Sequence, residues 1–357
     1  MKILILASGK SYHATRWANA LSERGLDVGF ASVHKIERPL NEKVQRFQLS
    51  NNGYKGYLLD IGRLKSVIKI WQPTILHAHF ATGYGFMARM CGFKTRIVSI
   101  YGPDIYEFPY KSVLHKTVLA FNLTGASRIL STSESMADEY LTVYPAKQRP
   151  IVTPFGVDID LFKPLPKTLK EDQFTIGIVK KMEKKYGVDV LLKAVAKLKT
   201  MTDKALKLNI VGTGSQKQEL ESLARDLGIE NITTFYGAIN NTEVPTFLSQ
   251  QDVFVVPSRF DSESFGVAAV EAQACAVPII VSNVGGLPEV VKHEVTGLVI
   301  DKENPDELAQ ALLKLCNDKE LREKFGQAGR ERVKSLYDWN QNVAQMIDIY
   351  TQVKDDH

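Results

Sequence analysis

Residues 253–283 read VFVVPSRFDSESFGVAAVEAQACAVPIIVSN, and this stretch decides the fold. Val253 to Val256 form a short β-branched and aromatic run that suits a buried strand. The Ala-rich segment near residues 265–275 suits a helix, and Ile279-Ile280-Val281-Ser282 is a second strand-like run. A strand, a helix and a strand in this order make a parallel βαβ unit, since only a crossover brings the second strand back beside the first in the same direction.

The same alternation extends to both sides. Strands are predicted near 175–179, 207–211, 232–236 and 298–300, with helical spacing over 188–199, 216–227 and 305–315. The first half repeats the plan with strands near 2–7, 27–33, 45–49, 75–80, 96–100, 128–132 and 151–152. Its helices include 14–24, which sets Trp17, Ala18 and Leu21 on one face. A chain of 357 residues is too long for one ordinary core. The pattern therefore predicts an α/β protein of two doubly wound, parallel-sheet, Rossmann-like domains. Five prolines between Tyr144 and Lys167 (Pro145, Pro150, Pro154, Pro164 and Pro166) suit a linker. The predicted division is 1–163, 164–338 and a closing helix over 339–357 with room to pack back on the first domain. Two such sheets facing one another would share a cleft at their strand carboxyl ends, so chemistry is expected just after each strand.

Composition excludes several classes. Apolar residues make up 44% and charged residues 24%, which is globular rather than disordered or fibrous. A net charge of +5 permits an acidic partner, such as a nucleotide diphosphate or an anionic membrane surface, and demands neither. Basic residues are spread out, with no run or aromatic-interleaved patch, so nucleic acid is not an expected partner. Cys91, Cys275 and Cys316 lie far apart, which fits neither a disulfide framework nor a metal site and suits a reducing compartment. The opening MKILILASGK reads as a first buried strand rather than a signal peptide, and no apolar run approaches the ~18 residues of a membrane span. These features predict a cytoplasmic protein, at most peripheral at the inner face of a membrane.

The candidate site residues follow strands. Glu263 sits at the N-terminal mouth of the predicted helix, where free N–H groups and the dipole suit a phosphate, with Glu271 eight positions on and Gly266 allowing close approach. Taken alone, two glutamates at this spacing favour a plainer reading, with Glu263 a helix cap and Glu271 a solvated helix carboxylate. Lys180, Lys181, Lys184 and Lys185 follow the strand ending at Val179 and suit a leaving diphosphate. A solvated loop is the commoner fate of such a run, and its place at a strand end is what weighs against that. Gly212-Thr213-Gly214 is neither a P-loop nor a dinucleotide fingerprint and reads as a structural turn. His77 and His79 share a strand face as a metal pair would, but no third ligand is placed, so His79 is expected to line the cleft without metal. Asp158-Ile159-Asp160 has a metal-binding form but lies in the linker, where aspartates cap turns.

In their shared order these segments resemble glycosyltransferase family 4. The resemblance rests on Glu263 to Glu271 (an E-x7-E spacing), Val277-Pro278 and Gly285-Gly286-Leu287-Pro288-Glu289. It extends to Pro154-Phe155-Gly156-Val157-Asp158 with Phe162, to Gly212-x-Gly214, to 252–258 and to Gly102-x-Asp104. It implies a GT-B fold and retaining transfer of a sugar from a nucleotide-diphosphate sugar to a saccharide, glycolipid or other hydroxyl acceptor. No metal or other cofactor is implied, and cell-surface polysaccharide or glycolipid assembly is the implied setting. By position Glu263 would meet hydroxyls of the sugar and Glu271 the ribose. Ser264, Phe265, Gly266 and Val267 would meet sugar and phosphates, with Gly214 nearby. Lys180 and Lys185 match a basic pair five apart, and Lys181 fits the alternative register. Gly9, His13, His79, Tyr101 and Asp104 fall on the acceptor side. Tyr101 stands where many members carry histidine, Ala276 replaces a glycine, and the first glycine-rich loop is thinned to Ser8-Gly9. Val113, Leu114 and Val118 beside Lys111, His115 and Lys116 read first as a solvated helix, with contact to an anionic membrane as the alternative. The competing readings are a nucleotide-sugar epimerase of the same plan and a catalytically idle binding protein.

Overall fold

The computed structural model describes residues 1–50, 52–144, 148–167 and 172–356, so Pro145 of the expected linker lies outside the described residues. The chain forms two compact units, Met1–Phe155 with Asn340–His357, and Gly156–Trp339.

The first unit holds seven parallel strands: β1 (Lys2–Leu6), β2 (Asp27–Ser32), β3 (Gln45–Gln48), β4 (Ile75–His79), β5 (Arg96–Ser99), β6 (Arg128–Ser131) and β7 (Ile151–Val152). Their order is β3-β2-β1-β4-β5-β6-β7. The second holds six: β8 (Gln173–Val179), β9 (Ala205–Val211), β10 (Thr233–Gly237), β11 (Val253–Val256), β12 (Ile279–Ser282) and β13 (Gly297–Ile300), in the order β10-β9-β8-β11-β12-β13. Each sheet winds outward from its first strand and then restarts on that strand's other side. The reversal lies between β1 and β4 in one unit and between β8 and β11 in the other. Loops leaving such neighbours turn to opposite faces and open a crevice at their carboxyl ends.

Burial explains the apolar runs. Ile3 to Leu6 have no exposure, as expected of a strand covered on both faces. In the second unit Phe174, Ile176, Ile178, Leu206, Leu208 and Ile210 pack with Leu191, Leu192, Val195 and Leu198 of the helix Val188–Lys199. Each such side chain contributes about 1.5–3 kcal/mol on burial. Helix starts carry their own signals: Ser11 caps Tyr12–Glu23, and Asn304 caps Pro305–Asn317 with proline in its first turn.

The units change over at residues 155 and 156, earlier than the expected 163. Val157 N–H donates to the Tyr337 carbonyl (2.8 Å) and Trp339 N–H to the Val157 carbonyl (2.9 Å), which ties this segment to the second unit. Phe162 is buried, and Arg330 donates to its carbonyl at 3.1 Å. The helix Trp339–Asp355 belongs, from Asn340 onward, with the first unit. There Tyr350 meets His77 Nδ1 through its hydroxyl at 2.7 Å, and Arg128 meets Asp356 at 2.6 Å. Asp158 spends one carboxylate oxygen on the N–H groups of Asp160 and Leu161, both at 3.0 Å, so Asp158-Ile159-Asp160 is a turn. Among the described residues no group of three or more His, Cys, Asp or Glu is arranged to hold a metal, and no helix is long and apolar enough to cross a membrane.

Candidate functional site

In the second unit the neighbouring ends of β8 and β11 supply the central pair. Lys180 follows β8 directly, and Glu263 lies in the loop after β11. Lys180 Nζ donates to Glu263 Oε1 at 2.8 Å, and each side chain is 10% exposed. Ser258 Oγ donates to the other oxygen, Oε2, at 3.1 Å. Burial by itself would raise the Glu263 carboxyl. The charge and hydrogen bond of Lys180, the charge of Lys185 and the Ser258 bond outweigh it and hold the group below its ordinary value. Lys185 Nζ donates to the Ser262 carbonyl at 3.0 Å. Both ammonium groups lie over the Tyr186 ring, 5.0 Å and 5.7 Å from its centroid. Lys180 and Lys185 thus converge on one loop, while Lys181 and Lys184 are exposed.

Ser264, Phe265 and Gly266 lead from Glu263 into the helix Val267–Ala274. Its first bonds run from Ala269 and Val270 N–H back to the Gly266 carbonyl, and the Val267 and Ala268 N–H groups stand in the first turn, ahead of any carbonyl of the helix. Glu271 lies one turn on and is partly buried. Two glycine positions let these loops approach. A Cβ on Gly212, at φ 139°, would sit 1.8 Å from the Lys180 carbonyl oxygen, and one on Gly285, at φ 50°, would sit 2.3 Å from that of Glu263. Gly214 packs on the Met182 backbone, so the glycine turn buttresses the lysine loop.

Sequence reading passed over Arg259. Its guanidinium makes a forked pair with Asp189 (2.7 and 2.6 Å) and further bonds to Glu303 Oε1 and the Lys184 carbonyl, both at 2.8 Å. The signal was present, a cation just after a strand as in the lysine loop, but attention to lysines alone missed it.

In the first unit, His13, His79 and Tyr101 are brought together. Tyr101 shares a hydrogen bond with His79 Nδ1 at 2.7 Å, its ring stacks on Phe155, and His13 stacks on the same phenyl ring at 4.0 Å. Burial, then the charge of Arg16, lowers His13 to about 4, while burial and His13 lower His79 to about 3. Both rings are therefore neutral bases of little strength. Asp104 supports this wall: its carboxylate accepts from the N–H groups of Ala81 (3.0 Å), Tyr101 (3.1 Å) and Thr82 (3.3 Å). Burial still pushes it up to about 6. Gly9 stands apart from the stack and is tied to the 32–38 loop, its N–H on Ser32 Oγ at 3.0 Å. Beside Asp104 lies a cavity of about 640 Å³ walled by Tyr54, Tyr57, Phe80, Tyr84 and Phe108, with Lys10 and Lys111 among its polar groups. These aromatic residues carried no pattern that sequence reading could have joined.

Residues 163–332 match the family described as glycosyl transferases group 1, and residues 2–133 the family described as glycosyl transferase 4-like. The chain is 34% identical over 208 residues to a GDP-mannose-dependent alpha-(1-6)-phosphatidylinositol monomannoside mannosyltransferase of Mycobacterium tuberculosis. That match takes in 55% of this chain and 54% of the relative, so the chain spans about half the length of that curated protein. Among solved structures it is similar to sucrose-phosphate synthase from Thermosynechococcus elongatus, with a TM-score of 0.87 and 21% identity over the whole of both chains. It is also similar to Anabaena HepE in complex with UDP-glucose, with a TM-score of 0.79 and 18% identity over 99% of this chain and 100% of that one. These likenesses show the GT-B fold.

The histidines make the first unit sensitive to acid. His13, His77 and His79 all titrate below the ordinary 6.5 when folded, so the unfolded chain takes up their protons first. The stability they give above that value is lost as pH falls below it, and the raised Asp104 returns only part. The expected Tm falls between about pH 7 and about pH 5, with a shallower slope in His79→Gln. Calorimetry showing a flat wild-type profile, or equal slopes, would contradict this.

Proposed function

We propose that the chain is a member of glycosyltransferase family 4 that moves a sugar from a nucleotide-diphosphate sugar to an acceptor hydroxyl with retention of configuration. The observation that carries this reading is the convergence of Lys180, Lys185 and Glu263 at the mouth of the helix Val267–Ala274. Two ammonium groups and the first-turn amides at a helix start suit a diphosphate, and a buried carboxylate beside them suits sugar hydroxyls. Glu271 is assigned to the ribose, and Ser264 to Val267 to the sugar and phosphates.

In the proposed step the bond from the anomeric carbon to the diphosphate oxygen breaks, and the electron pair leaves with the diphosphate. The acceptor oxygen bonds to that carbon on the same face, and its proton passes to a diphosphate oxygen. Lys180 and Lys185 meet the charge that grows on the leaving group, and no metal is called on. The acceptor is assigned to the first unit, whose aromatic cavity suits the apolar faces and hydroxyls of a saccharide or glycolipid. The mycobacterial relative is named for a phosphatidylinositol mannoside, which supports a glycolipid acceptor and a setting in cell-surface glycan assembly. Membrane contact fits the same reading. Val113 and Leu114 are 83% and 69% exposed at the start of the helix Val113–Leu123, next to Lys111 and Lys116. The location proposed is the cytoplasmic face.

Three outcomes are expected. Lys185→Ala lowers kcat by a factor on the order of 10²–10³, Glu263→Gln blunts both donor binding and sugar selectivity, and Glu271→Gln raises KM more than it lowers kcat. Near-normal constants in all three folded variants would sink the donor-site assignment, and sugar conversion without any acceptor would indicate an epimerase. Transfer should continue in EDTA; a loss restored by magnesium or manganese would refute the metal-free scheme. Vesicles containing phosphatidylglycerol should sediment the protein at low salt, and less of it in Val113→Ser with Leu114→Ser; equal sedimentation would remove the membrane contact.

A further inference from the structure

The strongest cluster left unused by this reading is the one around Arg259. Its side chain is 9% exposed. Four of the guanidinium's five N–H donors are engaged: two on the Asp189 carboxylate, one on Glu303 and one on the Lys184 carbonyl. Its backbone N–H donates to the Lys185 carbonyl at 2.8 Å. Arg259 therefore grips both residues of the Lys184-Lys185 pair through main-chain atoms, while Asp189 holds the fork from the first turn of the next helix. The ring of contacts closes on the other side, where Lys185 Nζ reaches the Ser262 carbonyl three residues beyond Arg259.

Three loops meet in this one side chain, those following β8, β11 and β13. Lysine could not replace it, since an ammonium is a point donor and cannot span a carboxylate and a carbonyl in fixed directions. The charge of Arg259 is already matched by Asp189 and Glu303, so it contributes geometry rather than free positive potential.

We infer that Arg259 is a positioning residue that fixes Lys185 where the donor's diphosphate binds, acting through the fork to Asp189 and the two loop carbonyls. This rests on the assignment of Lys185 to the leaving group. A lysine ammonium sits at the end of a flexible four-carbon stem, and its value to a transition state depends on where that stem begins. Displacement of a reacting group by about 1 Å can cost on the order of 10²-fold in rate. Arg259 fixes the origin of the stem, its guanidinium holding the adjoining Lys184 carbonyl and its backbone N–H that of Lys185, and the Ser262 carbonyl fixes the tip.

The test is a double-mutant cycle on the full chain, with kcat and donor KM measured for wild type, Arg259→Lys, Lys185→Ala and the double variant. Arg259→Lys is expected to lower kcat by about 10- to 100-fold with little change in KM. In the Lys185→Ala background the same change should cost less than about threefold, because the group it positions is gone. Asp189→Asn, which leaves Arg259 in place and breaks one arm of the fork, should show a smaller loss with the same dependence on Lys185. It also serves if Arg259→Lys does not fold. Equal losses in both backgrounds, or a fall in Tm with kcat intact, would overturn the positioning role. Failure of the parent reading would look different, since Lys185→Ala alone would then leave kcat unchanged.

Discussion

A carboxylate that keeps only a tenth of its side chain exposed cannot remain ionised by itself, because burying an unpaired charge costs several kcal/mol. Glu263 needs a cation, and the architecture of the second unit follows from where the cation stands. It comes from Lys180, 83 residues earlier in the chain, and the two meet because β8 and β11 are neighbours at the reversal of strand order. Away from that reversal, successive loops of a doubly wound sheet turn to the same face. Here they diverge and leave room, which glycines at 212 and 285 turn into close backbone approach.

Such a pair adds little to net stability, since the Coulomb gain roughly offsets the cost of removing two ions from water. What it fixes is direction. The Lys180 and Ser258 bonds hold both Glu263 oxygens, and the Arg259 fork and Ser262 carbonyl do the same for Lys185. On the proposed reading, a nucleotide sugar enters a site whose charges already point the right way. The reorganisation has been met during folding, which is the condition under which electrostatic stabilisation is most effective.

How much of this was legible in the sequence depends on the kind of information each feature carries. Strands and helices show in local patterning, and the thirteen strands among the described residues lie within about two residues of the predicted positions, even β3, whose QRFQ is mostly polar. Lys180 and Glu263 could be proposed because residues just after parallel strands face the crevice. The Arg259 contacts with Asp189 and Glu303 span 70 and 44 residues and depend on which strands are adjacent, which periodicity does not encode. The change-over near residue 156 was missed for a similar reason. Prolines mark an extended segment, but only the pairing of Val157 with residues 337–339 says which unit holds it. For Tyr101 the sequence shows only its place, and its hydrogen-bond partner, His79, lies on the neighbouring strand.

The two units treat charge in opposite ways, and the difference bears on where the acceptor's proton goes. The second unit gathers ammonium groups around a carboxylate. The first offers imidazoles that burial has stripped of basicity, with His13 near 4 and His79 near 3. A base whose conjugate acid is that strong gives little pull on a hydroxyl proton, because efficient general bases sit near the working pH. The Asp104 carboxylate, closer to that range, is already committed to three backbone N–H groups. On the proposed mechanism a phosphate oxygen fills this gap: as the sugar bond breaks it gains negative charge, and with it basicity, just when the acceptor must lose its proton. On that proposed mechanism, the stacked aromatic and imidazole rings of the first unit would orient the acceptor, and the ammonium groups of the second would stabilise the departing anion.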